Sequence, residues 1–380
     1  MCGGRHPAAF RRRDWAGVYT HDDQAAAEIL SPLFFGLMEK SDMSIIHAWA
    51  ALGAKQALVP YEYDPGPIGP EEVEVSVEHC GVCHSDLSII NDEWGMSTFP
   101  AVPGHEVIGR VTTLGEHTKG LAIGQRVGVG WFAASCMHCA SCLSGNQHLC
   151  ATSVATIVGH NGGYADRVRA HWAWVIPIPE TVDASASGPL LCGGITVFSP
   201  LVTLDVKPTE RVGVVGIGGL GHMAVKFAAA WGCEVTAFTS SEAKYDEART
   251  FGAHHVVSSR NTDAIRALAN SLDVLLVTVN VPLDWSALIA TLAPLGRMHI
   301  LGAVLEPIPV AAFDLIMGQR SISGSPTGAP VTISAMLDFA GRHAITPQVE
   351  HFPMSKVNEA LAHLEAGRAR YRIVLDADAE

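Results

Sequence analysis

Strict alternation of apolar and polar residues marks the first part of the chain. Residues 73–77, Val-Glu-Val-Ser-Val, alternate at every position, as a half-buried β-strand does. The cysteine-rich residues 131–150 lack such a period and are predicted to form a loop. Further short strands are predicted at residues 44–52, 107–111, 125–129, 162–165 and 174–177. This region is therefore predicted to be β-rich.

The pattern changes near residue 210, where short apolar runs alternate with helical patterns. Strands are predicted at residues 212–215, 234–238, 255–257, 273–279 and 297–301. Helices are predicted between them, at residues 222–231, 242–251, 262–270 and 285–293. Strands joined through helices pair in parallel, so this pattern predicts a doubly wound parallel sheet. After Gly328 the chain returns to helices at 334–341 and 357–367 and a final strand at 371–375.

These patterns divide the chain into four segments and predict an α/β fold. Residues 1–42 have no clear period, and we expect an extension, either a disordered arm or a stretch upstream of a true start at Met43. Residues 43–190 form a β-rich domain that carries the cysteine lobe, 191–327 form the parallel-sheet domain, and 328–380 return to the first domain.

Composition and charge narrow the function classes. The 380 residues include 25 basic and 38 acidic side chains, a net charge of −13. This balance argues against a nucleic-acid or membrane-surface partner. The nine cysteines are an odd number and are clustered, which favours metal binding in a reducing cytoplasm over a disulfide framework. Apolar runs of membrane-spanning length are interrupted by polar residues.

A cluster of four cysteines is the most specific local pattern. They are spaced C-x2-C-x2-C-x7-C, at Cys136, Cys139, Cys142 and Cys150. Four thiolates this close together can ligate one zinc tetrahedrally with no open position, which is a structural site. A nucleic-acid-binding zinc module is a competing interpretation, but the net charge and the absence of a basic stripe argue against it.

A glycine-rich run follows the first strand of the parallel sheet. It reads G-x-G-G-x-G and comprises Gly216, Ile217, Gly218, Gly219, Leu220 and Gly221. Such a run between a strand and a helix is typical of a dinucleotide site, where Gly216 allows a tight turn, Gly218 lets the pyrophosphate approach and Gly221 lets the helix pack on the strand. The helix N-terminus supplies donors for the phosphates. The alternative is an ordinary glycine-rich turn.

The residues after the second parallel strand indicate which cofactor is bound. An NAD-specific carboxylate is expected about 20 residues after the glycines, but the chain has Thr239, Ser240 and Ser241 there, with Lys244 close behind. Hydroxyl groups and a cation suit a ribose 2′-phosphate, whereas a carboxylate repels it. NADPH is therefore favoured. The same hydroxyls are also suited to capping the next helix.

Several segments together resemble a known family. They are residues 81–87 (GVCHSDL), 91–95 (NDEWG), 104–106 (GHE), 189–198 (PLLCGGITVF) and 214–222 (VVGIGGLGH), besides the four-cysteine lobe. Over residues 43–380 the chain resembles zinc-dependent medium-chain dehydrogenases/reductases, in particular the cinnamyl-alcohol-dehydrogenase-like branch and its bacterial NADPH-dependent aldehyde reductases. The resemblance implies a GroES-like catalytic domain, a Rossmann cofactor domain and a homo-oligomer, expected to be a dimer.

The resemblance also implies roles for individual residues. Cys83, His105 and Cys192 become ligands of a catalytic zinc, an assignment that spacing alone does not make, since each also suits a buried core position. Asp86 would orient His105, and Glu106 would lie behind the metal. The remaining implied positions are Ser85 for proton transfer, Thr196 beside substrate and cofactor, and His84 and Arg372 near the cofactor phosphates.

Three further features complete the expected site. Trp94, Trp131 and Phe132 match positions that line the substrate pocket in the family, although core packing is an alternative for them. Ser88 stands where many members have a histidine that ends the proton relay, so we expect the proton route to run through the ribose hydroxyl and water instead. The expected reaction is reversible reduction of aldehydes by NADPH; alcohol oxidation and a non-catalytic zinc- and NADPH-binding regulator are the alternatives.

Overall fold

The β-rich part of the chain begins at the first described strand. The computed structural model describes residues 45–378, and the prediction for residues 1–42 lies outside this range. The elements up to residue 177 are β1 Ile46–Ala50, β2 Val59–Tyr63, β3 Glu72–Val82, α1 His84–Ile90, β4 Val107–Leu114, β5 Arg126–Val129, β6 Phe132–Ala134, α2 Ala140–Leu143, β7 Val154–Ala155, β8 Arg167–His171 and β9 Val175–Pro177.

Helices and parallel strands alternate in the middle of the chain. They are α3 Ala184–Ser187, α4 Gly193–Thr203, β10 Arg211–Val215, α5 Gly221–Trp231, β11 Glu234–Thr239, α6 Tyr245–Thr250, β12 His255–Ser258, α7 Thr262–Arg266, β13 Leu272–Val277, α8 Trp285–Thr291, β14 Leu292–Ile300, α9 Ala312–Ile316 and β15 Ser321–Gly324. The strand order is β12-β11-β10-β13-β14-β15, with every neighbouring pair parallel. This order is that of a dinucleotide-binding Rossmann sheet, which confirms the predicted fold class.

The end of the chain rejoins the first sheet. It comprises α10 Pro330–Arg342, β16 Val349–Pro353, α11 Val357–Glu365 and β17 Arg372–Asp376. β17 pairs antiparallel with β3 and parallel with β16, in a seven-stranded sheet of order β16-β17-β3-β4-β5-β9, with β8 on β3. Because Ile373 of β17 pairs with Val82 at the end of β3, the neighbouring Arg372 lies at this same end of the sheet. The exact domain boundaries at residues 190 and 327 stay a prediction.

Some elements differ from the sequence expectations. Residues 162–165 form no strand, and Ala165 makes only an isolated bridge to Ala48. The predicted loop at 131–150 contains β6 and α2. Helix α4 was not expected because nine of its residues are buried, so it lacks the two-faced period of a surface helix. Strand β15 was also not expected, since its four residues are mostly exposed and it lies at an edge.

Aromatic packing joins the helices that flank the cofactor sheet. Phe198 of α4 lies 5.4 Å from Phe227 of α5 and 5.6 Å from Phe339 of α10, measured between ring centroids. Full burial of a phenylalanine ring contributes roughly 1.5–3 kcal/mol, and Phe198 and Phe227 are both buried, so the middle of α4 is held against α5. Within residues 45–378 no single helix is long and apolar enough to cross a membrane; only the bent pair Ala184–Leu191 and Gly193–Thr203 meets that description when taken together.

Candidate active site

A buried carboxylate organises the residues around the start of α1. Asp86 is fully buried, and its Oδ2 accepts the Cys83 backbone N–H at 2.9 Å. Its Oδ1 accepts the Gly104 N–H and lies 2.9 Å from His105 Nδ1. Because a carboxylate oxygen only accepts, the His105 proton sits on Nδ1 and Nε2 is left free as a lone-pair donor.

Two thiols meet this free nitrogen. Cys192, immediately before α4, has its Sγ 3.2 Å from His105 Nε2 and 3.9 Å from Cys83 Sγ. Ligand atoms of Cys83, His105, Cys192 and Glu106 all lie within 4.8 Å of one another, and all four residues are buried. Two sulfur atoms, one imidazole nitrogen and one further position suit a zinc site of the catalytic kind. The hydrogen bond with Cys192 holds the pKa of Cys83 well below its usual value, which favours the ligating thiolate.

An ion pair lies directly behind this cluster. The guanidinium of Arg372 donates to Glu106 Oε1, and both side chains are buried. Burial raises the pKa of Glu106 to about 7 against the opposing effect of Arg372. Glu106 Oε2 has no hydrogen-bond partner, so a buried oxygen beside the thiols is available to a cation.

Hydroxyl groups lie on the side of α1 and α4 near the cluster. Ser85 Oγ is 3.8 Å from Cys83 Sγ, and Thr196 Oγ1 donates to the Cys192 carbonyl at 2.7 Å. Ser88, one turn after Ser85, donates from Oγ to Glu93 Oε2 at 2.7 Å, and Glu93 is exposed. The cluster is therefore followed by a hydroxyl–carboxylate pair that reaches the surface.

Two tryptophans stand beside the histidine. The ring of Trp131 lies edge-on to His105 at a centroid distance of 5.0 Å, and Trp94 packs against Trp131 at 6.0 Å. Both are half-buried, whereas Phe132 is buried in the core against Trp174 at 5.1 Å. The indoles thus supply an apolar wall at the cluster, while the ring of Phe132 packs away from it.

The four-cysteine lobe forms a second cluster. Its sulfur atoms lie within 4.8 Å of one another, and Cys136 Sγ also accepts the Cys139 backbone N–H at 3.3 Å. The Thr152 hydroxyl lowers the pKa of Cys150 to about 6. Four sulfur donors with no open position fit a structural zinc, and α2 between Cys139 and Leu143 sets their spacing.

The glycine run forms the turn between β10 and α5. Gly216 has a φ of +91°, and a Cβ at Gly221 would lie 1.7 Å from the Gly216 carbonyl oxygen, whereas one at Gly218 would meet nothing within 4 Å. Gly216 and Gly221 are therefore needed for the turn and the close packing, and Gly218 faces open space. Arg372 Nη1 would be 2.9 Å from a Cβ at Gly219, so the guanidinium lies against this loop.

The expected cofactor-selecting residues stand beside that turn. Thr239 ends β11, which pairs in parallel with β10, and Ser240 is exposed just beyond it. Lys244 Nζ donates to the Ile217 carbonyl at 3.0 Å. The first carboxylate after β11 is Glu242, which is exposed. Hydroxyl groups and a lysine ammonium therefore border the glycine loop. His84, also expected near the phosphates, is the exposed first residue of α1.

Comparisons with known proteins identify the family of this chain. Residues 69–180 match the model of the alcohol dehydrogenase GroES-like domain, and residues 219–342 match that of zinc-binding dehydrogenases. The chain is 56% identical to the aldehyde reductase AdhA of Synechocystis sp. over 331 residues, 87% of this chain and 98% of that protein. The chain belongs to the zinc-dependent medium-chain dehydrogenase/reductase family. The expected family and its two-domain fold class are thus confirmed.

Solved structures of family members have the same fold. A cinnamyl alcohol dehydrogenase from Sorghum bicolor superposes with a TM-score of 0.85 at 38% identity, covering 88% of this chain and 99% of that one. A cinnamyl alcohol dehydrogenase from Helicobacter pylori, solved with NADP(H), gives 0.81 at 30% identity, covering 87% and 98%. The roles of individual site residues stay predictions.

Sequence reasoning missed three residues that contact this family site. Glu93 lies in the segment 91–95 that resembles the family, and no sequence pattern indicates that it accepts the Ser88 hydrogen bond. His222 and Gln348 are hydrogen-bonded to each other beside the glycine loop and had no assigned role. His222 could have been found from its position at the start of a helix four residues after Gly218, because residues four apart on a helix lie next to each other. No local pattern points to Gln348.

Proposed function

We propose that this protein is a zinc-dependent oxidoreductase that reduces aldehydes to primary alcohols with NADPH, reversibly. The observation that carries the proposal is the buried set of Cys83, His105 and Cys192, with the sulfur atoms 3.9 Å apart and the imidazole nitrogen 3.2 Å from one of them. Three protein ligands leave a position for a substrate oxygen, and the glycine loop supplies the nucleotide site. A regulator without turnover would not need this open ligand set.

The chemistry divides between bound groups and the protein. A zinc ion held by Cys83, His105 and Cys192 would polarise the aldehyde carbonyl as a Lewis acid, and a bound NADPH would supply the hydride. Asp86 holds His105 in the tautomer that directs Nε2 to the metal position. The orientation of metal ligands by such hydrogen bonds sustains metal affinity and activity.

Proton delivery falls to hydroxyl groups of α1. Ser85, 3.8 Å from Cys83 Sγ, donates a proton to the substrate oxygen as the alcohol forms. Ser88 and Glu93 then take the place of the histidine found in many relatives, since the Ser88 hydroxyl is already hydrogen-bonded to an exposed carboxylate. Ser85 and the Ser88–Glu93 pair would be the protein's part of the proton route, and a bound cofactor would add its ribose hydroxyl. The exposed Glu93 carboxylate would exchange protons with solvent.

The apolar wall of the site favours the binding of aldehydes with apolar groups and excludes water. Trp94 and Trp131 lie beside His105, and aromatic walls bind planar or long apolar groups. Exclusion of water strengthens the electrostatic interactions at the reacting carbonyl. The Synechocystis relative is named an aldehyde reductase, which supports this substrate class.

NADPH is the preferred cofactor. Thr239, Ser240 and Lys244 border the glycine loop, and the first carboxylate after β11 in the sequence, Glu242, is exposed. These groups suit a 2′-phosphate. The Helicobacter pylori relative is solved with NADP(H), which supports the same choice.

One experiment tests the proposal as a whole. Purified protein is assayed against aliphatic and aromatic aldehydes with NADPH and NADH, and against the matching alcohols with NADP+ and NAD+, while bound zinc is measured by mass spectrometry. We expect about two zinc ions per chain and NADPH-dependent reduction of apolar aldehydes. Absence of turnover in both directions by zinc-loaded protein would contradict the proposal.

A second copy of the chain is the proposed partner. Strand β15 is an outer strand of the Rossmann sheet, and unpaired edges pair readily with another strand. Beside it, apolar side chains are unusually exposed, with Phe313 at 72%, Ile316 at 67% and Met317 at 78%. Large exposed apolar groups mark association surfaces. Light scattering should give twice the chain mass, and Phe313→Glu should give the monomer; a monomeric wild type would contradict this.

A further inference from the structure

A buried histidine connects the glycine loop to the returning part of the chain. His222, the second residue of α5, is fully buried. Its Nδ1 lies 3.1 Å from the Gly218 carbonyl oxygen, and its Nε2 lies 3.2 Å from the Gln348 backbone nitrogen. A backbone N–H only donates, so Nε2 accepts from Gln348 and the ring proton sits on Nδ1, where it donates to Gly218.

The ring of His222 is held in one orientation. Tyr371 stacks on it with centroids 5.0 Å apart and planes at 23°, and Phe251 packs edge-on at 5.6 Å. Burial lowers the pKa of His222 to about 3, so the imidazole stays neutral and Nε2 stays an acceptor over the working range of pH. Both hydrogen bonds therefore persist together.

The contacts of Gln348 extend this connection to the metal cluster. The Gln348 carbonyl accepts the backbone N–H of Arg372 at 3.0 Å. The guanidinium of Arg372 in turn binds Glu106, the neighbour of His105. A continuous series of hydrogen bonds thus runs from Gly218, through His222 and Gln348, to Arg372 and Glu106. His222, Arg372 and Glu106 are buried, whereas Gln348 is exposed and takes part through its backbone.

We propose that His222 is a positioning residue that sets the glycine loop in register with the zinc cluster, through separate hydrogen bonds to Gly218 and to Gln348. The bond to Gly218 holds the loop in the shape that binds the pyrophosphate. The bond to Gln348 sets the distance between the bound nicotinamide and the substrate. This inference rests on the proposed NADPH-dependent function.

Three substitutions separate the two bonds. His222→Asn places an amide nitrogen where Nδ1 stands, so this variant keeps the hydrogen bond to Gly218. His222→Gln places an acceptor at the Nε2 position, so this variant keeps the hydrogen bond from the Gln348 backbone. His222→Phe fills the space and keeps the aromatic stacking but removes both hydrogen bonds. His299→Phe is the matched control, because His299 is also buried and has two side-chain bonds, to Ser323 and Ser325 at 2.8 and 2.9 Å.

Cofactor affinity and chemistry are measured separately, by NADPH fluorescence titration and by the single-turnover hydride-transfer rate at saturating NADPH. His222→Phe should raise the Kd about tenfold and slow the hydride step, since two hydrogen bonds are lost. His222→Asn should keep the Kd within about threefold and slow the step, while His222→Gln should show the reverse pattern. The ratio of NADPH to NADH affinity should not change, because both cofactors share the pyrophosphate.

Two results would overturn the inference. One is a folded His222→Phe variant with the Kd and hydride-transfer rate of the wild type. The other is identical behaviour of the Asn and Gln variants, which would also decide the question if the Phe variant did not fold. His299→Phe should lower the melting temperature without altering the Kd of NADPH or the hydride-transfer rate. A wild-type protein that binds no NADPH would contradict the proposed function instead, so the two failures are distinguishable.

Discussion

Asp86 Oδ1 lies 2.9 Å from His105 Nδ1, and neither side chain is exposed to solvent. The same carboxylate accepts the backbone N–H groups of Cys83 and Gly104. Asp86 thus fixes the tautomer of His105, and it also holds the backbone at Cys83 and at Gly104, the residue before His105.

Replacement of Asp86 tests this role. Asp86→Asn keeps the shape but removes the charge and one acceptor, so His105 is held less firmly, and zinc affinity or kcat should fall about 10–100-fold. Zinc content by mass spectrometry and the initial rate with a good aldehyde report the effect. Asp64→Asn is the control, because that carboxylate only caps the exposed Gly66 N–H at 2.8 Å. Equal zinc content and rate in the two variants would refute the role of Asp86.

Cys192 should be needed for turnover but not for cofactor binding. Cys192→Ala removes one proposed zinc ligand, and loss of several kcal/mol of Lewis-acid assistance slows the reaction roughly 10³-fold. The Kd of NADPH should stay within about threefold, because the glycine loop is unchanged. Cys233→Ala is the matched control, as Cys233 is equally buried but its Sγ contacts only the Lys207 carbonyl among hydrogen-bond partners. Wild-type rates in Cys192→Ala would show that the metal assignment is wrong.

A carboxylate at the end of β11 should change the cofactor preference. Ser240→Asp places a negative charge where we expect the 2′-phosphate, so kcat/KM for NADPH should fall and that for NADH should rise, with a change in their ratio of about 10-fold or more. Ser334→Asp adds the same charge on the exposed side of α10 and should leave the ratio unaltered. An unchanged ratio in Ser240→Asp would place the 2′-phosphate elsewhere.

The Ser88–Glu93 pair should limit proton transfer. Ser88→Ala breaks a 2.7 Å hydrogen bond to the exposed carboxylate, and we expect kcat to fall about 10-fold, with a larger solvent isotope effect as the proton step becomes slower. Glu93→Gln should act in the same direction. Ser88→His introduces the residue found in many relatives and should restore the rate. Wild-type kcat and isotope effect in both Ser88→Ala and Glu93→Gln would leave the pair without a role.

Local patterns in the sequence predicted what depends on neighbouring residues. The four-cysteine lobe spans only residues 136–150, and the glycine loop needs only a strand, a turn and a helix in succession. The glycine loop was predicted between the right strand and helix, whereas the cysteine-rich residues 131–150, predicted as a loop, also contain β6 and α2. The four sulfur atoms nevertheless meet as their spacing predicts, because backbone geometry within a dozen or so residues restricts which side chains meet. The parallel sheet was predicted for the same reason, since each strand–helix unit carries its own period.

Contacts between distant segments were beyond such patterns. Cys83 and Cys192 are 109 residues apart, and only the family resemblance joined them at the level of sequence. Helix α4 was missed because burial on all sides removes its period, and β15 because four mostly exposed residues carry little hydrophobic signal. Both elements are defined by what they pack or pair against.

The sequence by itself determined the fold class, the family, the four-cysteine lobe and the nucleotide-binding turn, because each follows from residues close together in the chain. Only the tertiary structure decided that Ser88 donates to Glu93, that Phe132 packs into the core, and that His222 binds Gln348 across 126 positions. The physical reason is that Phe132 and Trp174, like His222 and Gln348, come from distant segments that meet only in the folded chain. The Ser88–Glu93 bond spans only five residues but depends on the turn that follows α1, and no apolar period encodes any of these contacts.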